Sequence, residues 1–159
     1  MKNVIFVTIF CTGLAACVHL APASLPPGTP ADAVRAQLGE PSHTYQDGDY
    51  TELEYAKGQY TFMARIDAQG KLASYEQVLT ADKFATVAIG KADKASILHT
   101  FGQPAEVQRY TTSNTEAWLY HYKEQDIWNS IMYVEFYPTG KVKSLQSGPD
   151  PERESSRGR

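Results

Sequence analysis

Histidine, cysteine and paired carboxylates are the residue types from which a reactive site would be built, and in this chain they are few and scattered. The four histidines, His19, His43, His99 and His121, fall one each in a proline-rich stretch, a loop, a helix-patterned segment and a strand-patterned segment. None stands at ligand spacing from another, and none has an orienting carboxylate close by in sequence, so neither a zinc site nor a general base is expected from them. Asp47-Gly48-Asp49 lacks the glutamate that a helix-loop-helix calcium loop requires, and reads as a turn. There is no Gly-x-Ser-x-Gly elbow, no His-Glu-x-x-His pair and no phosphate-cradling glycine loop. No catalytic residue, metal or cofactor is assigned on this basis, and the expectation is a protein that is not an enzyme.

Covalent chemistry is expected at one residue, Cys17. Lys2 gives the chain a positive start, Val4 to Leu14 is a short apolar run, and Ala15 and Ala16 precede the cysteine. This is the pattern of a secretory signal, too short to remain across a bilayer. Its last four residues, Leu14-Ala15-Ala16-Cys17, have the form of a bacterial lipobox, which is cut before a cysteine that is then acylated. An ordinary signal peptide cut near Ala16 is the alternative. Cysteine counting favours acylation, because Cys11 leaves with the signal and the mature chain keeps one cysteine with no partner for a disulfide. Each buried methylene of an acyl chain contributes about 0.8 kcal/mol, and two or more chains make an anchor that holds. Val18 to Pro27, with three prolines among small residues, reads as an extended tether.

The elements beyond the tether show an internal repeat. Gly28 to Pro41 and Gly90 to Pro104 each contain a glycine, an early aspartate, an amphipathic run and Gly-x-Pro, the plan of a short helix that is opened, buried on one side and stopped. Ala31, Val34 and Leu38 make the stripe in the first copy; Ile97, Leu98 and Phe101 make it in the second. Thr29 is the expected N-cap of the first helix, with Pro30 in its first turn. Tyr60 to Ile66 and Ile131 to Phe136 then alternate with period two, and Asp67 to Leu72 matches Tyr137 to Val142 as a tight turn into a returning strand. From Gly39 to Gly70 is 31 positions and from Gly102 to Gly140 is 38, and the seven extra residues are placed in the polar loop Lys123 to Asn129. Ser42 to Asp49 reads as a polar connection, and Thr80 to Ile89 as an additional helix capped by Thr80. The expected fold class is α+β, with two tandem units of helix plus three-stranded antiparallel sheet. A repeat of this size is stronger evidence about fold than any single motif.

With 159 residues, 42% of them hydrophobic, the two units are each small enough to need a shared core or interface. A net charge of -3 leaves no basic face for nucleic acid. Ten tyrosines and two tryptophans exceed what the buried sheet faces require, so some rings are expected to point outward, where their apolar area and polar tips suit a protein interface. The candidates are His121, Trp128, Tyr133 and Tyr137. Cross-strand tyrosine pairing that merely stiffens the sheet is the competing explanation.

The paired Gly-x-Pro helices, the aromatic strand with Trp118-x-Tyr120 and the hairpin Phe136-x-x-x-Gly140-Lys141-Val142 resemble the BamE (SmpA/OmlA) domain of outer-membrane lipoproteins, best over Thr80 to Leu145 and more loosely over Gly28 to Leu79. The duplicated arrangement also resembles the beta-lactamase inhibitor protein. The first resemblance implies a location on the outer membrane facing the periplasm, to which Val18 rather than aspartate after Cys17 also points, and participation in the barrel-assembly complex. The expected organisation is signal peptide 1–16, tether 17–27, first BamE-like unit 28–79, second unit 80–148 and a disordered tail 149–159. The expected function is non-catalytic binding of other envelope proteins in outer-membrane protein assembly or envelope integrity. An inhibitor-like module that caps a periplasmic or secreted enzyme is the alternative.

Overall fold

A computed structural model describes residues 25–154, so the signal peptide, Cys17 and most of the tether lie outside the described residues. The chain builds two four-stranded antiparallel meanders. The first sheet runs β1 (His43–Asp47), β2 (Tyr50–Lys57), β3 (Tyr60–Ile66) and β4 (Leu72–Gln77); the second runs β5 (Glu106–Tyr110), β6 (Thr115–Glu124), β7 (Trp128–Phe136) and β8 (Val142–Pro149), each in simple sequential order. The expected α+β class with three strands per unit is therefore corrected: each sheet has four strands, the helices are short, and the fold is mainly β. β1 replaces the polar connection expected over Ser42 to Asp49, whereas β5 lies in the stretch Ala105 to Tyr110 that reads from sequence as the opening of the second sheet; neither strand buries a residue fully. An edge strand is held by its backbone ladder to one neighbour, so its side chains need carry no apolar period.

The halves match position by position. α1 (Ala31–Leu38) and α3 (Lys94–Phe101) have the same length, and both end in a left-handed glycine, Gly39 and Gly102. The ladder slips by one residue at Arg65/Ile66 in one sheet and at Glu135/Phe136 in the other. Isolated bridges join Pro30 to Lys71 and Asp93 to Lys141. The seven extra residues do not form one loop. The pair Tyr110 with Thr115 closes a turn two residues longer than Asp47 with Tyr50, and Leu119 with Tyr133 closes a hairpin five residues longer than Glu54 with Met63. Lys123, Trp128 and Asn129 are thereby strand residues, not loop.

Each long helix packs on its own sheet. Val34 of α1 is buried on Leu53, Ala64, Ile66 and Leu72. Ile97 and Phe101 of α3, with Phe84 of α2 (Ala81–Ala85), are buried on Tyr120, Tyr122, Met132, Val134, Phe136 and Val142, and the Phe84 and Phe101 rings stack at 4.5 Å. Side chains of this size contribute about 1.5–3 kcal/mol each when removed from water. Pro30, not Thr29, occupies the N-cap of α1, and the Thr29 hydroxyl donates to the Pro26 carbonyl at 2.7 Å. α2 stops at Ala85, four residues short of the expected Ile89, where the Thr86 hydroxyl takes the Lys83 carbonyl and competes with the next helical bond.

Because side chains alternate across a strand, the face of the first sheet opposite α1 also needs a cover, and α3 supplies it. His99 and Gln103 reach Glu52 and Glu54 there, and the Gln59 amide donates to the Tyr122 carbonyl. The layers run α1, first sheet, α2 with α3, second sheet. Order extends beyond both expected boundaries: Leu25 packs on the first core, Pro149 belongs to β8, and α4 (Pro151–Glu154) is helical where a disordered tail was expected.

Candidate functional site

Two buried carboxylates sit between the halves. Glu52 and Glu54, two apart on β2, point to the same side and are 3% and 1% exposed. Glu54 Oε2 accepts from the Tyr45 hydroxyl at 2.5 Å and from the Gln103 amide at 3.1 Å, with His43 Nδ1 at 3.5 Å. Glu52 places one oxygen 2.8 Å from His99 Nδ1 and the other 3.2 Å from Arg65 Nε, an ion-pair contact in which the N–H does not aim at the oxygen. Arg65 also meets Asp47 at 3.1 Å and lies over the Tyr50 ring at 4.4 Å. Burial and the bond to Glu54 push the Tyr45 phenol well above its ordinary range, which keeps it a donor.

A carboxylate on Nδ1 fixes an imidazole so that its other nitrogen can act as a base, and His99 has that arrangement. The adjoining cavity is about 170 Å³, lined by Asp47, Glu52, Arg65, Glu76, Lys83 and His99 among others. That is below the roughly 300–1,000 Å³ of ordinary ligand clefts, and its cations Arg65 and Lys83 are already paired with Asp47 and Glu76. The Thr100 hydroxyl on its wall is turned to the Ser96 carbonyl. The arrangement works as a clasp between halves. Sequence reasoning missed it because Glu52 and Glu54 alternate with Leu53 and Tyr55, the pattern of a solvated face; the only forewarning was two glutamates on one strand face.

The four aromatic candidates do not converge. His121 and Tyr133 share the outer face of the second sheet, opposite Ile131 and Leu119 respectively. His121 is mostly buried, not on a solvated face: its Nδ1 lies 2.8 Å from Asp150 Oδ2, and that carboxylate is fully buried beside α4. Trp128 is 56% exposed at the tip of the β6–β7 hairpin beside Ile127 at 55%, where Gln125 and Asp126 turn the chain with positive φ. Tyr137 is exposed separately, after β7. Tyr133 also lines an open depression of about 450 Å³ on the outer face, with Tyr110, Thr115, Ala117, Glu135 and Gln146. The Lys143 ammonium beside Glu135 holds that carboxyl below its usual range, so the depression carries no unneutralised charge from it. Among the described residues no cluster of three or more histidines, cysteines and carboxylates is placed to hold a metal ion.

No family model matches the sequence, and neither does any curated protein. Among solved structures the chain is similar to a DUF4309 family protein, YjgB, from Bacillus subtilis, at 10% identity, over 75% of this chain and 77% of that one, with a TM-score of 0.34. A superposition that loose carries neither fold nor function across.

Proposed function

We propose that the protein is a non-catalytic binding module, held at the outer membrane by acylated Cys17, that engages another envelope protein through the tip of the β6–β7 hairpin. The observation that carries this reading is the pair Ile127 and Trp128, both more than half exposed and adjacent on a projecting turn. Large apolar side chains held out on a rigid hairpin lose little entropy on docking, and tryptophan is the residue most often found at the energetic centre of an interface. The anchor rests on Leu14-Ala15-Ala16-Cys17 directly after an apolar run. A subunit of the barrel-assembly machinery is the partner that the sequence resemblance favours; the four-stranded sheets lend that choice no support of their own.

The test is recovery of partners from detergent-solubilised envelopes by the full lipoprotein and by its Trp128→Ala and Ile127→Ser variants. Membrane-embedded assembly subunits recovered by the parent and lost by both variants are the expected result. Equal recovery by all three removes the hairpin as the site, and recovery of a single soluble enzyme replaces assembly with inhibition.

A further inference from the structure

Phe84 of α2 closes the end of the second core beside α3. Its ring stacks on Phe101 and meets Tyr120 at 6.0 Å and Tyr122 at 5.3 Å, and Phe101, Tyr120 and Met132 are 0%, 1% and 7% exposed. The first half has the same floor without that cover. By the shared helix length and glycine cap Leu38 stands where Phe101 stands, and by the ladder registers Tyr55 and Phe62 stand where Tyr120 and Met132 stand. All three are only half-buried, as is Tyr75, which stacks on Phe62 at 5.4 Å.

Hydrogen bonding is incomplete at the same place. The Tyr120 hydroxyl donates to the Gly102 carbonyl at 3.1 Å, whereas the Tyr55 hydroxyl is buried with no partner, and so is the amide oxygen of Gln77, which faces Phe62 in the ladder. Buried polar atoms in a native fold are nearly always paired, so this slot calls for an occupant that brings a donor and an acceptor as well as apolar surface. An extended peptide has all three.

The chain itself leads to the slot. Gly28 and Gly90 give their amides to the equivalent carbonyls of Leu72 and Val142, and three residues earlier Leu25 and Val87 pack on the equivalent cores. Three residues earlier again the second half has Phe84 and the first has Pro22. A proline there denies the segment the helix of α2, but in an extended run Leu20 and Pro22 fall on one side, and the backbone between them is free to bond.

We propose that the chain before Leu25 is the occupant, with Leu20 and Pro22 over Tyr55, Phe62 and Tyr75 where Phe84 lies over their counterparts. Being joined to Leu25, the segment competes at high effective concentration with any outside ligand. Docking shortens the tether to Val18 and His19, so an anchor at Cys17 holds the first sheet close to the membrane surface instead of at the end of a loose leash. The contact itself depends neither on acylation nor on the hairpin tip.

The test is solution NMR of the full mature chain carrying Cys17→Ser, which keeps an acyl chain out of the slot. Expected are Leu20 methyl signals moved upfield by the rings beneath them, with through-space contacts to Tyr55 or Phe62, and slowed hydrogen exchange at the Ala21 amide. Leu20→Ser is expected to move the Tyr55 and Phe62 ring signals while leaving those of Phe84 and Phe101 in place, and Leu20→Phe to keep the contact. Trp128→Ala leaves all of these signals unchanged, so this contact and the hairpin site fail separately. Unshifted Leu20 methyls without ring contacts overturn the proposal. So do contacts to the rings of a second molecule, read from a mixture of labelled and unlabelled protein, and contacts to any other surface.

Discussion

Gly102 and Glu54, from opposite halves of the chain, approach so closely that a Cβ on the glycine would fall 2.6 Å from the glutamate carboxyl carbon. Gly102 is also left-handed, with φ +79°, and its carbonyl accepts from the Tyr120 hydroxyl at 3.1 Å. One residue thus ends α3, admits the buried carboxylate and meets the core tyrosine. Its counterpart Gly39 has φ +86° and nothing within 4 Å of where a Cβ would lie.

That contrast separates conformational strain from crowding. Gly39→Ala is expected to cost about 1–2 kcal/mol, the left-handed penalty alone. Gly102→Ala adds displacement of a buried carboxylate and is expected to cost about 2 kcal/mol more, in the range of overpacked sites. Urea unfolding of the two variants side by side measures the difference; equal costs would mean that the Glu54 side chain moves aside freely.

Removing the acceptor should be as informative as crowding it. Glu54→Ala leaves the part-buried Tyr45 hydroxyl and Gln103 amide without their partner, and the loss is expected to stay at or below the roughly 1–3 kcal/mol of a fully buried orphan donor. Tyr45→Phe in the same background should recover part of the loss. Hydrogen exchange at Gln103 is the local readout, and an unchanged exchange rate in Glu54→Ala would show that this amide is not held by the carboxylate.

Acid should weaken the fold through three exposed or half-exposed pairs. Asp93 is held well below the usual carboxylate range, first by Lys141 and then by the Ser96 amide and hydroxyl at the start of α3. Lys94 does the same for Glu116, and Lys143 for Glu135. Each folded value is depressed, so the stability contributed is complete above the ordinary values of 3.8 and 4.5 and is lost as pH falls below them through the folded values. Urea midpoints for the parent should be insensitive to these groups from pH 7 to 5 and should drop below about pH 4. Asp93→Asn should lower stability at pH 7 and flatten the acid slope; an unchanged slope would exclude Asp93 from the acid response.

Anchoring has its own measurement. Cys17→Ser should move the protein from the outer-membrane fraction to the soluble periplasmic fraction and abolish incorporation of labelled fatty acid. Continued sedimentation with outer membranes, with no label, would mean that a protein contact and not lipid holds it there.

Much of the framework was readable because it is repeated and apolar. The paired Gly-x-Pro endings located both long helices, Val34, Ile97 and Phe101 identified their buried stripes, and the alternation through Tyr60 to Ile66 and Ile131 to Phe136 located central strands. The edge strand His43 to Asp47 escaped, since it buries nothing fully and carries no apolar period. The polar interior escaped for another reason. His99 finds its carboxylate 47 residues away and His121 finds its own 29 away, distances over which spacing carries no signal. Glu52 and Glu54 look like surface until a helix from the other copy is laid on them.

α3 is the cover of one sheet and the core of the other, and it is synthesised after the first sheet is complete. A chain that emerges N-terminus first therefore presents His43 to Gln77 with one finished face and one raw face whose glutamates stay hydrated until Lys94 to Gln103 arrives. Folding of the leading half cannot end before the trailing half begins, and any assistance given to the emerging polypeptide is needed over that interval.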